Sequence, residues 1–360
     1  MSAGDGGFEI AGAAVPLGAT ADLGLDTGQG PTGAAQSLPL RVMRGPAPGP
    51  AVFVTGAVHG DELNGTGIVQ EVIRQPPFTL ARGTLVLVPV VNLPGFEQRS
   101  RYLPDRRDLN RSFPGSAGGS LAARLARAVF EGLVRRCDFG IDLHSAAVRR
   151  TNFPNVRADL RRKAVRRIAE AFGTALVVQS QGPEGSLRRT ASRAGIATII
   201  LEAGEVWKVE PTVVEIGVRG IVNVLVELGM VAGELRRPVY QARVERTAWV
   251  RSDYGGLLRF HVAPGEVVGK GQPLATVTSL LGAALGVLRA PAAGVILGMT
   301  TFPAVTPGDP VCHVAVPRGG VSAIRRALAA ASSQSLHERV RGDLATSISV
   351  FASAGRGSAR

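Results

Sequence analysis

His59 and Glu62 stand three positions apart in the run Val58-His59-Gly60-Asp61-Glu62. An imidazole and a carboxylate this close, at the mouth of a turn, can both face one cation. Zinc takes nitrogen and oxygen donors of this kind, and a catalytic zinc keeps three protein ligands and one open position. The pair therefore asks for a third donor elsewhere in the chain. The surrounding residues suit the task. Ala51 to Val58 is an apolar run that reads as a buried strand, and Leu63 to Arg74 reads as a helix.

Five histidines are available: His59, His144, His261, His313 and His337. His144 ends the run Phe139-Gly140-Ile141-Asp142-Leu143-His144, which reads as a short strand. In an open α/β sheet, ligands gather at the carboxyl ends of strands, so His144 is expected beside His59 and Glu62. Asp61 and Asp142 read as turn or supporting residues. Ser145 lacks the Gly-x-Ser-x-Gly context of a nucleophile. A second stretch holds Arg99, Arg101 and Tyr102, then Asp108-Leu109-Asn110-Arg111 in a Pro/Gly-rich loop. Guanidinium groups bind carboxylates in a bidentate fork and can stabilise a developing oxyanion. Asn110 and Arg111 could also simply cap a turn. Glu202 closes the very apolar run Thr198 to Leu201. A carboxylate there is costly without a partner or a function; beside an activated water it can carry a proton. Glu205 is an alternative that lies past the strand.

Four motifs come in a fixed order: His59-Gly60-Asp61-Glu62, Asp108-Leu109-Asn110-Arg111, Asp142-Leu143-His144 and Leu201-Glu202-Ala203-Gly204. In that order they resemble the aspartoacylase/succinylglutamate desuccinylase family of the zinc carboxypeptidase superfamily. The resemblance spans roughly residues 45 to 230. It implies one zinc per chain held by His59, Glu62 and His144, with Glu202 as general acid/base. It further implies that Arg101 polarises the scissile carbonyl, with Arg99 as the alternative. Asn110 and Arg111 would grip a substrate carboxylate, and Asp108 would orient a zinc-bound histidine.

The elements that must position these groups follow from texture. Apolar strand-like runs alternate with helical ones from Leu38 to about Met230. That pattern predicts an α/β fold with a mostly parallel sheet; the resemblance implies a mixed sheet flanked by helices in a zinc-carboxypeptidase-like layout. From about Arg243 to Val316 short β-rich runs are broken by Gly and Pro, which predicts a smaller all-β domain in the barrel-sandwich style. A lysine-bearing carrier hairpin is not expected, because Val277 to Pro291 contains no lysine. The expected division is 1–36 flexible or at most an edge strand, 37–237 hydrolase domain, 238–317 β domain, and 318–360 an Ala/Arg/Ser-rich tail, partly disordered.

Composition narrows the classes. The net charge is +13, but only three residues are lysine, so 38 of the 41 basic residues are arginine. With aromatics at 5% and no interleaved stacking platform, the charge reads as a solvated surface rather than a nucleic-acid site. No apolar run has the length of a membrane span. Met1 to Gly12 carries two acidic and no basic residues, unlike a secretory signal. Two distant cysteines, Cys137 and Cys312, give no disulfide framework. A cytoplasmic protein is expected, with a small acylated amino acid or related amine as partner; a homo-oligomer is compatible with this sequence.

The expected function is a zinc-dependent deacylase cleaving the amide of a small N-acylated amino acid. Two other readings stay open: a metallocarboxypeptidase acting on peptides, and a non-catalytic binding protein on the same fold.

Overall fold

A computed structural model describes residues 7–30 and 32–346. Residues 7–30 are built into strands and turns where the sequence suggested flexibility. They open with a hairpin of β1 (Phe8–Ile10) and β2 (Ala13–Val15), then β3 (Thr20–Gln29) pairs antiparallel with β4 (Ala35–Arg44). The reason is a sparse apolar alternation: Ile10, Val15, Leu25, Leu38 and Leu40 all enter one core cluster, so Gly and Ala dominate composition without preventing burial. The edge-strand alternative describes β3, which ends the sheet.

β5 (Ala47–Gly56), α1 (Leu63–Arg74), β6 (Arg82–Val88), the short α2 (Leu93–Glu97), α3 (Leu121–Gly132) and β7 (Phe139–His144) follow. Then come β8 (Arg150–Ala158), α4 (Lys163–Phe172), β9 (Leu176–Gln179), α5 (Leu187–Arg193), β10 (Ala197–Gly204) and α6 (Pro211–Glu227). At the centre, β6, β5, β7 and β10 run parallel in that order. β4 joins one side antiparallel, and β8 joins β10 antiparallel on the other. The central strands are covered on both faces and read as continuous apolar runs, as parallel strands should. One face packs Val52, Val54, Ile141, Leu143, Ile199 and Leu201 under α1, α4 and α6. The other packs Phe53, Val86 and Val88 under α3.

Residues beyond the sheet's far side form β11 (Ala242–Arg251), β12 (Gly256–Phe260), β13 (Val267–Val268), β14 (Pro273–Thr278), β15 (Ala284–Arg289), β16 (Gly294–Thr300), β17 (Ala304–Val305) and β18 (Pro310–Pro317). β12, β14, β15 and β17 form a four-stranded sheet of their own, over a core drawn from residues between Val250 and Val314, while other later strands join the large sheet. β11 pairs parallel with β9, β16 pairs antiparallel with both β18 and β8, and the ring β8–β9–β11–β18–β16 closes on itself. An unpaired strand edge leaves a row of backbone donors and acceptors exposed; here the later strands cover that edge. The tail continues as α7 (Ser322–Ala329) and α8 (Leu336–Ala345), with Val340 and Leu344 buried. The disorder expected for the tail's end falls on residues 347–360, outside the described residues. Among the described residues no helix is long and apolar enough to cross a membrane.

Candidate metal centre and active site

His59, Glu62 and His144 meet at the carboxyl ends of the central parallel strands. The turn after β5 carries the first two, and β7 ends on the third. Glu62 directly precedes α1, so strand and helix together aim its carboxylate inward. One ligand atom from each of the three lies within 4.8 Å of the others, and all three are buried.

Glu62 is the hub. Its Oε1 lies 2.7 Å from His59 Nδ1, and its Oε2 lies 2.8 Å from His144 Nδ1. The Ser145 amide donates to the same Oε2 at 3.0 Å. Burial by itself would raise the Glu62 carboxyl. The flanking imidazoles outweigh burial and hold it well below the usual carboxylate range.

Each imidazole has a second carboxylate behind it. His59 Nε2 faces Asp108 Oδ1 at 3.2 Å, and His144 Nε2 faces Asp142 Oδ2 at 2.9 Å. Asp142 is itself fixed by the Thr55 hydroxyl, which donates at 2.9 Å. Burial would depress both imidazoles, but the carboxylates win. Glu62 and Asp108 raise His59, while Asp142 and Glu62 push His144 well above its ordinary value. A donor set of two imidazole nitrogens and one carboxylate, with each imidazole oriented by a carboxylate on its far nitrogen, fits a divalent transition ion such as zinc.

The arginine loop packs against this hub. Arg101 Nη1 reaches Glu62 Oε1 and Nη2 reaches Asp108 Oδ2, both at 3.2 Å. The structure thus draws Arg101, and not Arg99, into the cluster. Arg99 is exposed, adopts a left-handed backbone (φ 52°), and gives its carbonyl to the Trp207 indole. Asp108 caps the single helical turn Leu109–Arg111 by accepting from the Asn110 amide. Asn110 Oδ1 accepts from the Leu187 amide at 2.9 Å, and the Phe113 amide donates to the Gly185 carbonyl. These bonds fasten the loop to the start of α5. They also commit the Asn110 carbonyl to structure and leave its Nδ2 as the group on offer. Arg111 is exposed and donates to the backbone carbonyl of Asn110.

Glu202 lies beside His144 in register, on neighbouring parallel strands. It is partly exposed near the carboxyl end of β10. Its Oε2 accepts from Asn152 Nδ2 at 3.0 Å, and Arg157 Nη1 stands 3.7 Å from Oε1. Glu205 points elsewhere: its carboxylate accepts from the Thr301 hydroxyl and pairs with Lys208.

Three residues around Glu202 escape a reading from motifs. Asn152 and Arg157 lie on β8, a strand hidden from pattern by Pro154, Asn152 and Asn155. Its far end, Ala158, reads from sequence as the start of a helix that begins instead at Lys163. Arg188 is one of three arginines in a row of candidates that sequence leaves equal. Arg189 and Arg193 pair with Glu184 at the surface, whereas Arg188 is only 3% exposed. Burial, then the neighbouring Arg157, push Arg188 down to about 10, against the pull of Glu202 and Asp142. Its Nε has no hydrogen-bond partner.

Buried histidines and a carboxylate gathered at the carboxyl ends of parallel strands, each imidazole backed by an acid, define an α/β protein built around a cluster that could hold a metal ion. The chain belongs to the succinylglutamate desuccinylase/aspartoacylase family: the profile described as Succinylglutamate desuccinylase/Aspartoacylase catalytic domain matches residues 48–228. The chain is 32% identical over 283 residues to the N-alpha-acetyl-L-2,4-diaminobutyric acid deacetylase of Halomonas elongata, covering 74% of this chain and 82% of that one. Among solved structures, it is similar to the product-bound ectoine utilization protein EutE (DoeB) of Ruegeria pomeroyi, at 26% identity and a TM-score of 0.72. That match covers 84% of this chain and 97% of that one. It is likewise similar to a succinylglutamate desuccinylase/aspartoacylase of Rhodobacter sphaeroides, at 26% identity and a TM-score of 0.71, covering 82% and 94%.

Proposed function

We propose that this protein is a zinc-dependent deacylase that hydrolyses the amide of a small N-acylated amino acid, with one zinc held by His59, Glu62 and His144. The observation that carries the reading is the buried His–Glu–His cluster with Glu202 in register beside it. The deacetylase relative supports amide hydrolysis and points first to an acetylated diamino acid.

A bound zinc supplies Lewis acidity and lowers the pKa of a coordinated water. This chain's own residues do the rest. Asp108 and Asp142 hold the two imidazoles so that each presents Nδ1 inward. Glu202 takes the proton from the attacking water and delivers it to the leaving nitrogen. Arg101, anchored between Glu62 and Asp108, sets positive charge where the carbonyl oxygen becomes an oxyanion. Arg111, the Nδ2 of Asn110 and the buried Arg188 supply charge and donors for a substrate carboxylate. We read the later strands as a barrel-sandwich-like unit on a zinc-carboxypeptidase-like layout. Their contacts with β8 and with Glu205 support our reading that they narrow the entrance, which favours small substrates over peptides. We place the protein in the cytoplasm.

The test is a panel of N-acetyl, N-succinyl and N-aspartyl-type amino acids, acetylated diamino acids and dipeptides, run with zinc-loaded wild type and Glu202→Gln. The reading requires about one zinc per chain, turnover of an acyl amino acid over dipeptides, and loss of turnover with zinc retained in Glu202→Gln. A fully metallated Glu202→Gln with wild-type turnover refutes the role of Glu202. Dipeptide preference supports a carboxypeptidase. A chain that takes up no zinc supports a binding protein.

A further inference from the structure

We propose that Asn152 positions Glu202, and that β16 holds Asn152 in place through Gly298. The inference rests on the reading of Glu202 as proton carrier, and it adds a dependence of the chemistry on the later strands.

A carboxylate that moves a proton between water and a leaving nitrogen must present one oxygen in a fixed direction. Glu202 lies at the end of a strand and is partly exposed, so its own backbone does not fix its rotamer. The direct side-chain hydrogen bond to it comes from Asn152 Nδ2, at 3.0 Å on Oε2. That bond occupies one oxygen and turns the other toward the Arg157 side, 3.7 Å away. A neutral amide donor suits the task, since it fixes an oxygen without neutralising the carboxylate.

Asn152 is itself clasped. On one side it pairs with Gly204 of β10, just past a register shift that begins at Glu202. On the other it pairs with Gly298 of β16, beside a second register shift between Ile296 and Gly298. Bulges of this kind re-aim side chains next to functional sites. Gly298 has no side chain, and a Cβ built there would stand 2.6 Å from Asn152 Oδ1 and 3.1 Å from the Thr151 carbonyl. The absence of that carbon lets the Asn152 amide lie flat against β16 with its nitrogen toward Glu202. The clasp is closed by Thr300 and Thr301, whose hydroxyl and amide respectively donate to the Arg149 carbonyl. Glu202 thus reaches its working orientation only when β16 is docked on β8.

The decisive variants are Asn152→Asp and Gly298→Ala. Asp has the shape of Asn but replaces the donor by a charged acceptor, so a fall in Asn152→Asp counts for the positioning role only together with a fall in the uncharged Asn152→Ala. The positioning role predicts a kcat roughly 10- to 100-fold lower, the range of a lost hydrogen bond to a charged group, with KM little changed. Asn152→Ala should fall alike, and Asn152→Ser, which keeps a short donor, should recover part of the loss. Gly298→Ala should lower kcat in the wild-type background and add little on top of Asn152→Ala, because its methyl then has no amide to displace. Zinc-loaded full-length protein, an N-acetyl amino acid from the panel and thermal melts of each variant suffice. Wild-type kcat in Asn152→Asp, or an equal cost of Gly298→Ala in both backgrounds, overturns the proposal. Glu202→Gln is run alongside. If it is inactive while Asn152→Asp is normal, the proton-carrier reading stands and the positioning role falls. If Glu202→Gln is fully active, the reading beneath both falls.

Discussion

Glu62 and His144, 82 residues apart in sequence, meet at 2.8 Å, and His144 turns its other nitrogen to Asp142 at 2.9 Å. One imidazole is thus gripped from both sides by carboxylates, and the Thr55 hydroxyl braces the outer one. The outer carboxylate fixes which ring nitrogen keeps its proton and raises the basicity of the inner one. Asp142→Ala should therefore weaken zinc binding roughly 10- to 100-fold while the fold persists. Asp142→Asn should weaken it less, since the amide oxygen can still accept from Nε2–H. Competition against a chelator of known affinity measures both. Equal zinc affinity in wild type and Asp142→Ala would falsify the bracing role.

Gly60 carries a second prediction. It lies between His59 and Glu62, and a Cβ there would fall directly on the backbone at Gly95 and Phe96 in α2. Backbone cannot swing aside as a flexible side chain can, so either the turn or α2 must move. Gly60→Ala should cost on the order of 1–3 kcal/mol, as overpacking does. It should also strip zinc, because the displaced carbon lies between two proposed ligands, His59 directly before it and Glu62 two residues after it. Thermal melts and metal analysis check it. A variant that melts like wild type with a full zinc complement would show that the turn has slack.

Much of this site is legible in sequence because its ligands sit at the ends of strongly apolar runs. Ala51 to Val58 and Phe139 to Leu143 announce strands, and His59, Glu62 and His144 follow directly. α1 is readable end to end for the same reason. β8 is not, because its apolar alternation is interrupted by Asn152, Pro154 and Asn155, residues that favour turns. The partners of Glu202 on that strand are lost with it. The later strands keep a sheet and core of their own, but the joining of β11, β16 and β18 to the large sheet is not legible, because local pattern marks strands but not which distant edge they cover. Arg188 differs from Arg189 and Arg193 only in direction along α5, which burial reveals and spacing does not.

The tail supplies a pH prediction. His337 on α8 is buried between Phe153 and Tyr240, with ring centroids at 5.3 and 5.4 Å, and its Nε2 has no hydrogen-bond partner. Burial pushes it down to about 4; Glu338 opposes this and Arg341 adds to it. The unfolded chain accepts this proton near pH 6.5. Between pH 6.5 and 4 the unfolded state therefore binds more protons than the folded one, so stability falls as pH falls through that window. His313, stacked on Trp249 and also held near 4 by burial and by Arg157 and Arg150, acts in the same sense. At pH 5 the His337 contribution is about 2 kcal/mol. His337→Phe keeps an aromatic ring in place and should shrink the loss of melting temperature between pH 7.5 and 5. An unchanged pH slope in that variant would mean that α8 already yields before the histidine titrates.

Arg188 carries the last prediction. It is buried, within electrostatic reach of Glu202 and held by the Ser180 carbonyl, and its pKa is lowered to about 10 by burial and Arg157. A cation kept out of water with an unpartnered Nε gains most from an incoming anion. Arg188→Gln should therefore raise KM for an N-acyl amino acid roughly 10- to 100-fold, the range of a lost charge-assisted hydrogen bond. The matching N-acyl amino amide, which lacks the carboxylate, should be a poorer substrate of the wild type and should lose little further in the variant. Steady-state kinetics on the four combinations give the coupling directly. If the variant weakens acid and amide equally, Arg188 supports the pocket wall, and the carboxylate is bound by Arg111 and Asn110 alone.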